Sequence, residues 1–231
     1  MGFDVSVPCG QITFLNCKDI SSTTSTLEKN QKISTTLLPA IQETFIRLKL
    51  NAKNICGIGV STGPGSYMNI RIGISTAKGL SLSLGCPIFG FSSLEILAEE
   101  AIRGFSESTE ISPKSIICVR NADKDNIFSA KFEVSKKQSD KKYHCLRKTD
   151  DALIKFDEFE VENDQKTILV YSSMDSERIY YLKNKYKDPF LLPINTSSLS
   201  VGLLTLEKLK RGDFQNTENV LPTYCREVKL G

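Results

Sequence analysis

The sequence predicts an α/β protein of two subdomains, each a mixed sheet with helices. Three observations carry this. An opening strand–turn–strand pattern over residues 3–14 implies antiparallel pairing. A short, nearly apolar run at 55–60 follows a helical stretch, which implies a buried strand parallel to the first. A polar stretch at 106–114 (Ser-Glu-Ser-Thr-Glu-Ile-Ser-Pro-Lys) then separates two sets of elements, giving subdomains at 1–105 and 106–231, with the last helix free to pack back on the first. With 231 residues, 40% hydrophobic and 25% charged, the chain has a globular composition and length enough for both.

Each element has a local reason. Phe3 and Val5 alternate with Asp4 and Ser6, and Ile12 and Phe14 with Gln11 and Thr13, across a turn at Pro8-Cys9-Gly10. The Ser/Thr-rich residues 21–26 fit an edge strand or an ordered loop. Ser34 is placed to cap a helix over 35–49, where Leu37, Leu38, Ile41, Phe45 and Leu48 recur at helical spacing. A second helix over 69–84 ends at Gly85, and a strand over 87–91 follows. Ser92-Ser93-Leu94-Glu95 is a capping-box pattern that opens a helix to Arg103. In the second half, strands are expected at 115–119, 127–134, 143–146 and 168–171. Helices are expected at 150–159, 176–187 and 198–211, the last stopped by Gly212.

Charge and cysteine usage narrow the function classes. A net charge of +3 is only mildly basic. The densest basic cluster, Lys136-Lys137 with Lys141-Lys142, reads as a solvated hairpin, because no aromatic residues interleave with it as nucleic-acid contacts require. Seven cysteines, none in a Cys-x-x-Cys pair, and a single histidine, His144, exclude the usual zinc ligand sets. No charged-then-apolar leader opens the chain and no apolar run is long enough to span a membrane, so the expectation is a cytoplasmic protein with reduced, mostly buried thiols.

The chemistry concentrates at Gly63-Pro64-Gly65-Ser66-Tyr67, a loop at the carboxyl end of the 55–60 strand, where open α/β sheets place their sites. It runs into Arg71-Ile72-Gly73-Ile74-Ser75-Thr76-Ala77-Lys78-Gly79-Leu80. A glycine-rich loop leading into a helix gathers unpaired N–H groups that can hold an anion. It is not a Walker A motif, since Lys78 lies deep in the helix, and Gly57 and Gly59 have the wrong spacing for a dinucleotide fingerprint. Ser66 lacks an adjacent base, which excludes a serine hydrolase. Arg71, a cation in the first turn, opposes the helix dipole and so implies either a carboxylate or phosphate partner or a side chain that snorkels away. The helix has two stripes. Ile70, Gly73, Ile74, Ala77, Leu80 and Leu84 can cover a sheet. Ile72, Thr76, Gly79, Leu82 and Ser83 invite another helix, either the one at 35–49 or one of a different chain.

The loop with its flanks, from Asp4 in the first strand to Leu221-Pro222-Thr223-Tyr224-Cys225-Arg226 near the end, resembles the bacterial TsaB family, also called YeaZ. The likeness is dense over 1–105, thin over 106–215, and returns in the Pro-x-Tyr-x-Arg tail. It implies the actin/sugar-kinase/Hsp70-like fold, with a ribonuclease H-like sheet in each half. It also implies a non-catalytic partner of TsaD, the subunit that transfers threonylcarbamoyl to tRNA adenosine beside the anticodon. The pair would bind the ATPase TsaE, and the chain alone would form homodimers. The interface so implied comprises Ile70, Arg71, Ile72, Gly73, Thr76, Gly79, Leu82 and Ser83 with Leu38, Ile41 and Phe45. Asp4 and Ser6 stand where active members of the superfold hold metal-nucleotide. The residue reading makes them caps of the following turn, so no resident cofactor is expected, with ATP or ADP only at the TsaD interface. The chain departs from the family's Gly-Ser-Phe-Thr-Gly-Leu-Arg at Tyr67, Met68 and Asn69; Asn69 tolerates the positive φ of the glycine it replaces. Tyr171-Ser172-Ser173-Met174 lacks the glycine of a second-half nucleotide turn. An ATPase or kinase-like enzyme of the same superfold is the alternative.

Overall fold

The structure, a computed structural model, describes residues 1–7, 9–28, 31–107, 113–136, 143–161, 166–186 and 191–225. Pro8, Lys137, Lys141, Lys142, Lys187, Arg226 and most of the 106–114 stretch lie outside the described residues. The helices are α1 (Ile33–Arg47), α2 (Tyr67–Leu84), α3 (Ser93–Glu107), α4 (Ser176–Tyr186) and α5 (Ser198–Arg211).

One compact unit comprises residues 1–93 and 197–223. Its sheet has the order β3-β2-β1-β4-β5, with β1 (Gly2–Asp4), β2 (Gln11–Leu15), β3 (Ser22–Thr26), β4 (Ile58–Gly63) and β5 (Ile88–Ser92). The β1–β2 and β2–β3 pairs are antiparallel, and the β1–β4 and β4–β5 pairs are parallel. Strand alternation sends neighbouring residues to opposite faces. Phe3 and Val60 join a core with Leu37, Ile41, Ile70, Ile74 and Ala77 of α1 and α2. Gly2 and Gly59 face α5. A Cβ on Gly59 would lie 2.0 Å from Thr205 Oγ1, and one on Gly2 would lie 2.6 Å from the Gly202 nitrogen. Two bare positions on the sheet therefore let α5 approach the backbone. The hydroxyls of Thr13 and Ser198 share a hydrogen bond of 2.6 Å at the start of that helix.

The second unit comprises residues 94–196 with Tyr224 and Cys225. Its strands are β6 (Ser115–Asn121), β7 (Asn126–Lys136), β8 (Tyr143–Arg147), β9 (Ala152–Lys155), β10 (Thr167–Ser172) and β11 (Leu191–Pro193), in the order β11-β10-β6-β7-β8, with β9 also on β7. Here too a meander of antiparallel strands is followed by parallel ones. Ile116, Cys118, Ile168 and Val170 face Leu94, Leu97, Ala98, Ala101 and Ile102 of α3. The intervening Ile117, Val119, Leu169 and Tyr171 face Leu182 of α4. The two sheets thus share one connectivity.

Several expectations need correcting. The units divide at Ser93/Leu94, not near 105, because the apolar stripe of α3 packs on the second sheet. Ser34 lies inside α1, whose N-cap is Lys32, without a side-chain cap bond. The buried strand begins at Ile58, after a 3-10 turn at Ala52–Asn54, and extends through Gly63, so half of it is what the sequence reads as loop. The helix expected over 150–159 is β9 followed by a 3-10 turn at Phe156–Glu158. The physical reason is that β8 pairs only with Phe132–Lys136, which leaves the first half of β7 open to Ala152–Lys155. The short β11 was not foreseen. All seven thiols are free, but only Cys86 and Cys118 are buried; Cys17 and Cys56 are exposed and the other three are half-buried.

Candidate functional site

The loop at 63–66 is positioned from three sides. Gly63 has φ 99°, a left-handed conformation that favours glycine, and a Cβ there would also meet Ile70 Cδ1 at 2.8 Å. A Cβ on Gly65 would lie 2.6 Å from the Ser6 carbonyl oxygen, so only a bare residue brings the loop against the first hairpin. There the Ser66 N–H donates to the same carbonyl at 3.3 Å. The tail is tied in as well: the Thr223 N–H donates to the Thr62 carbonyl at 2.8 Å, and the two threonine hydroxyls lie 3.1 Å apart.

Beneath the loop, Asp4 is 1% exposed. Its Oδ1 accepts from the Ser6 N–H at 2.9 Å and the Ser6 hydroxyl at 2.6 Å, so Asp4 and Ser6 cap a turn of their own. Oδ2 is buried and has no hydrogen-bond partner. Burying a carboxylate oxygen with nothing bound to it is costly, and this makes Asp4 the strongest ligand candidate of the loop. Asn69 is not in a positive-φ turn; it lies in α2, which begins at Tyr67. In the second unit, Ser173 takes φ 55° after β10, so the turn that lacks a glycine keeps a left-handed residue.

The outward face of α2 is a separate surface. Leu82 is 74% exposed, Gly79 and Ser83 are exposed, and Ile72 and Thr76 are half-buried. A Cβ on Gly79 would meet nothing within 4 Å. On α1, which packs beside α2, Leu38 is 54% exposed and Phe45 is half-buried. Ile41, Ile70 and Gly73 do not belong to this face. They turn into the core, and a Cβ on Gly73 would lie 2.5 Å from Val5 Cγ2. The Arg71 guanidinium stacks 4.0 Å from the centre of the Tyr67 ring one turn earlier, which offsets its unfavourable place against the dipole. Tyr67 and Met68, both more than half exposed, extend this apolar surface; sequence reading missed them as surface because it placed them in the loop.

A cavity of about 530 Å³ in the first unit, walled by Leu15, Leu50, Ile55, Leu206 and Leu209, shares no lining residue with the loop. Among the described residues no three His, Cys, Asp or Glu side chains are grouped to hold a metal ion, and no helix is long and apolar enough to cross a membrane.

Comparison with known proteins adds the following. The model of the family described as TsaD, tRNA N6-adenosine threonylcarbamoyltransferase, matches residues 28–184. The tRNA threonylcarbamoyladenosine biosynthesis protein TsaB of Buchnera aphidicola from Schizaphis graminum is 35% identical over 107 residues, 46% of this chain and 50% of that one. Its counterpart from Acyrthosiphon pisum is 30% identical over 136 residues, 59% and 58% of the two chains. The chain thus spans little more than half the length of the curated relatives it matches. YeaZ from Pseudomonas aeruginosa superposes with a TM-score of 0.75 at 17% identity, covering 96% of this chain and 97% of that one, a likeness of fold. With the two mixed sheets, it agrees with the two-subdomain α/β fold that the sequence predicts.

Proposed function

The chain belongs to the TsaD family, on its TsaB side, and from that premise we propose that it is a non-catalytic partner of TsaD in forming threonylcarbamoyladenosine in tRNA. The observation that carries this is the outward face of α1 and α2. Leu38, Leu82, Met68 and Tyr67 are each more than half exposed on adjoining helices of one unit. Apolar area of this kind is characteristic of an interface, and the open space at Gly79 admits a close neighbour. Arg, Tyr and Met, the residue types at the start of α2, are those that interfaces favour. The same surface would support a homodimer when TsaD is absent, and the assembled pair would be what TsaE recognises.

The test is to mix the chain with TsaD of its own organism and measure the mass of the product by light scattering. A stable heterodimer is expected. Leu82→Glu and Gly79→Arg should each weaken it at least about a hundredfold, since a charge or a long side chain would then sit in a desolvated contact. Neither side chain is needed in the core, so both variants should keep the parent's circular dichroism. A chain that never associates with TsaD sinks the reading.

A second reading, a nucleotide-dependent enzyme of the same superfold, is favoured by one observation, the unpaired Oδ2 of buried Asp4. One carboxylate oxygen near the start of α2, the positive end of that helix's dipole, fits a cation-bound phosphate. ATP hydrolysis by the isolated chain that disappears in Asp4→Asn would favour this reading over the scaffold.

A further inference from the structure

The exposed face of α4 combines aromatic and basic residues in a way the sequence disguises. Tyr180 is 70% and Tyr181 44% exposed, and Lys183 and Lys185 follow at the surface. The side chains around them are held in place. The Tyr181 ring is braced by Phe156, with centroids 5.3 Å apart at 60°. The Lys185 ammonium lies 5.6 Å from the Tyr181 ring centre and 5.5 Å from that of Tyr186, and donates to the Phe159 carbonyl at 3.1 Å. Tyr186 is fixed in turn: its hydroxyl donates to the same carbonyl and accepts from the Val161 N–H. Of the acidic groups nearby, Asp175 is engaged by Arg178 and Asn121 and Glu158 by Lys155, whereas Asp157 and Glu160 lie exposed next to Phe156 and Phe159 in the chain. Glu177, in the first turn, is the acidic residue of the helix itself.

We propose that the exposed side of α4 is a contact surface for unpaired RNA nucleotides, with Tyr180 and Tyr181 stacking on bases, Lys183 facing phosphates on the Tyr180 flank and Lys185 on the Tyr181 flank. Aromatic rings beside cations suit single-stranded nucleic acid, because every base has a π-face and every linkage a charge, and of the two rings Tyr181 is pre-positioned by Phe156. The choice of RNA over protein rests on the reading of the chain as a subunit of a tRNA-modifying pair; the platform itself rests on the geometry.

The test is fluorescence anisotropy of a labelled RNA stem–loop with the whole chain, at low and moderate salt, against a fully paired RNA of equal length. The stem–loop is expected to bind more tightly than the duplex, with affinity falling as salt rises. Tyr180→Ala should weaken it about tenfold, the loss of one stacked base. Lys183→Glu should weaken it and flatten the salt slope by about 0.7, while Lys183→Arg should keep the parent's affinity. No binding by the parent chain at low salt, equal affinity for the duplex, or an unchanged affinity in Tyr180→Ala would each overturn the proposal. Association with TsaD is measured on the same variants. If Tyr180→Ala abolishes that association, the face is a protein contact and the proposal fails, whereas an RNA loss with TsaD binding intact supports it independently of the α1–α2 interface.

Discussion

Single residues decide how closely the layers of the first unit approach. Gly73 sits on the stripe of α2 that faces the sheet, with Val5 directly beneath. Gly73→Ala puts a methyl group at 2.5 Å from Val5 Cγ2, and in a packed core such crowding costs about 1–3 kcal/mol. Urea unfolding of the variant should show a lower midpoint with an unchanged slope. Gly79, six residues on, has the same chemistry and the opposite context, so a side chain there should leave stability unchanged and act only on assembly. The cysteines differ in the same way. Burial pushes the Cys118 and Cys145 thiols far up, and that of Cys225 to about 12, with the carboxylate of Asp151 a smaller cause for the last. Native-state alkylation at pH 8 should therefore reach exposed Cys56 well before these three.

At the scale of elements, helix ends show where local chemistry is and is not used. Asp175 caps α4: its Oδ1 accepts from the Arg178 N–H at 2.9 Å, and that bond, more than the nearby Asn121 and Arg178 side chains, holds its carboxyl below the ordinary 3.8. Asp175→Ala should cost about 1 kcal/mol at neutral pH. Because the folded value is the lower one, this contribution is present above the unfolded value and is lost as pH falls through the folded one. The stabilities of parent and variant should therefore converge in acid, as urea midpoints across the range would show. A constant difference down to pH 2 would mean that Asp175 acts through packing instead. The end of α1 is the converse case. Ser34 has the right chemistry for a cap but lies inside the helix, because burial of Ile33 against the first core extends α1 toward its N-terminus.

Over the whole molecule, the first unit is discontinuous in sequence. Residues 1–93 supply the five strands and the two helices of one face, whereas α5 covers the other face with Val201 and Thr205 against the sheet at Gly59. A fragment ending at Ser93 would leave that face of β1 and β4 open to water. It should remain unfolded or aggregate, as judged by circular dichroism and by amide dispersion in NMR spectra, and adding a chain segment that contains α5 should restore order. A cooperatively folded fragment would contradict the role assigned to α5.

Much of this was legible in the residues themselves. The opening hairpin, the parallel strand after α1, the two-striped α2, its stop at Gly85 and the stop of α5 at Gly212 are local patterns; the hairpin and both stops formed where turn chemistry placed them, whereas the strand expected over 55–60 formed over Ile58–Gly63 and α2, expected from 69, begins at Tyr67. The loop and its TsaB-like flanks were equally plain, since a glycine-rich turn at a strand end is written in consecutive residues. What was not legible depends on segments distant in the chain. The 150–159 stretch became a strand because β7 is longer than β8 and leaves pairing groups to satisfy. The unit boundary moved to Ser93 because the apolar stripe of α3 fits the second sheet. Ile41, Ile70 and Gly73 turned into the core, and Tyr67 and Met68 came to lie on the outward face, when burial set the rotation of α1 and α2. Backbone preferences act over a few neighbours and are carried by the sequence, whereas burial depends on which distant surfaces meet, and that is settled only when the sheets assemble.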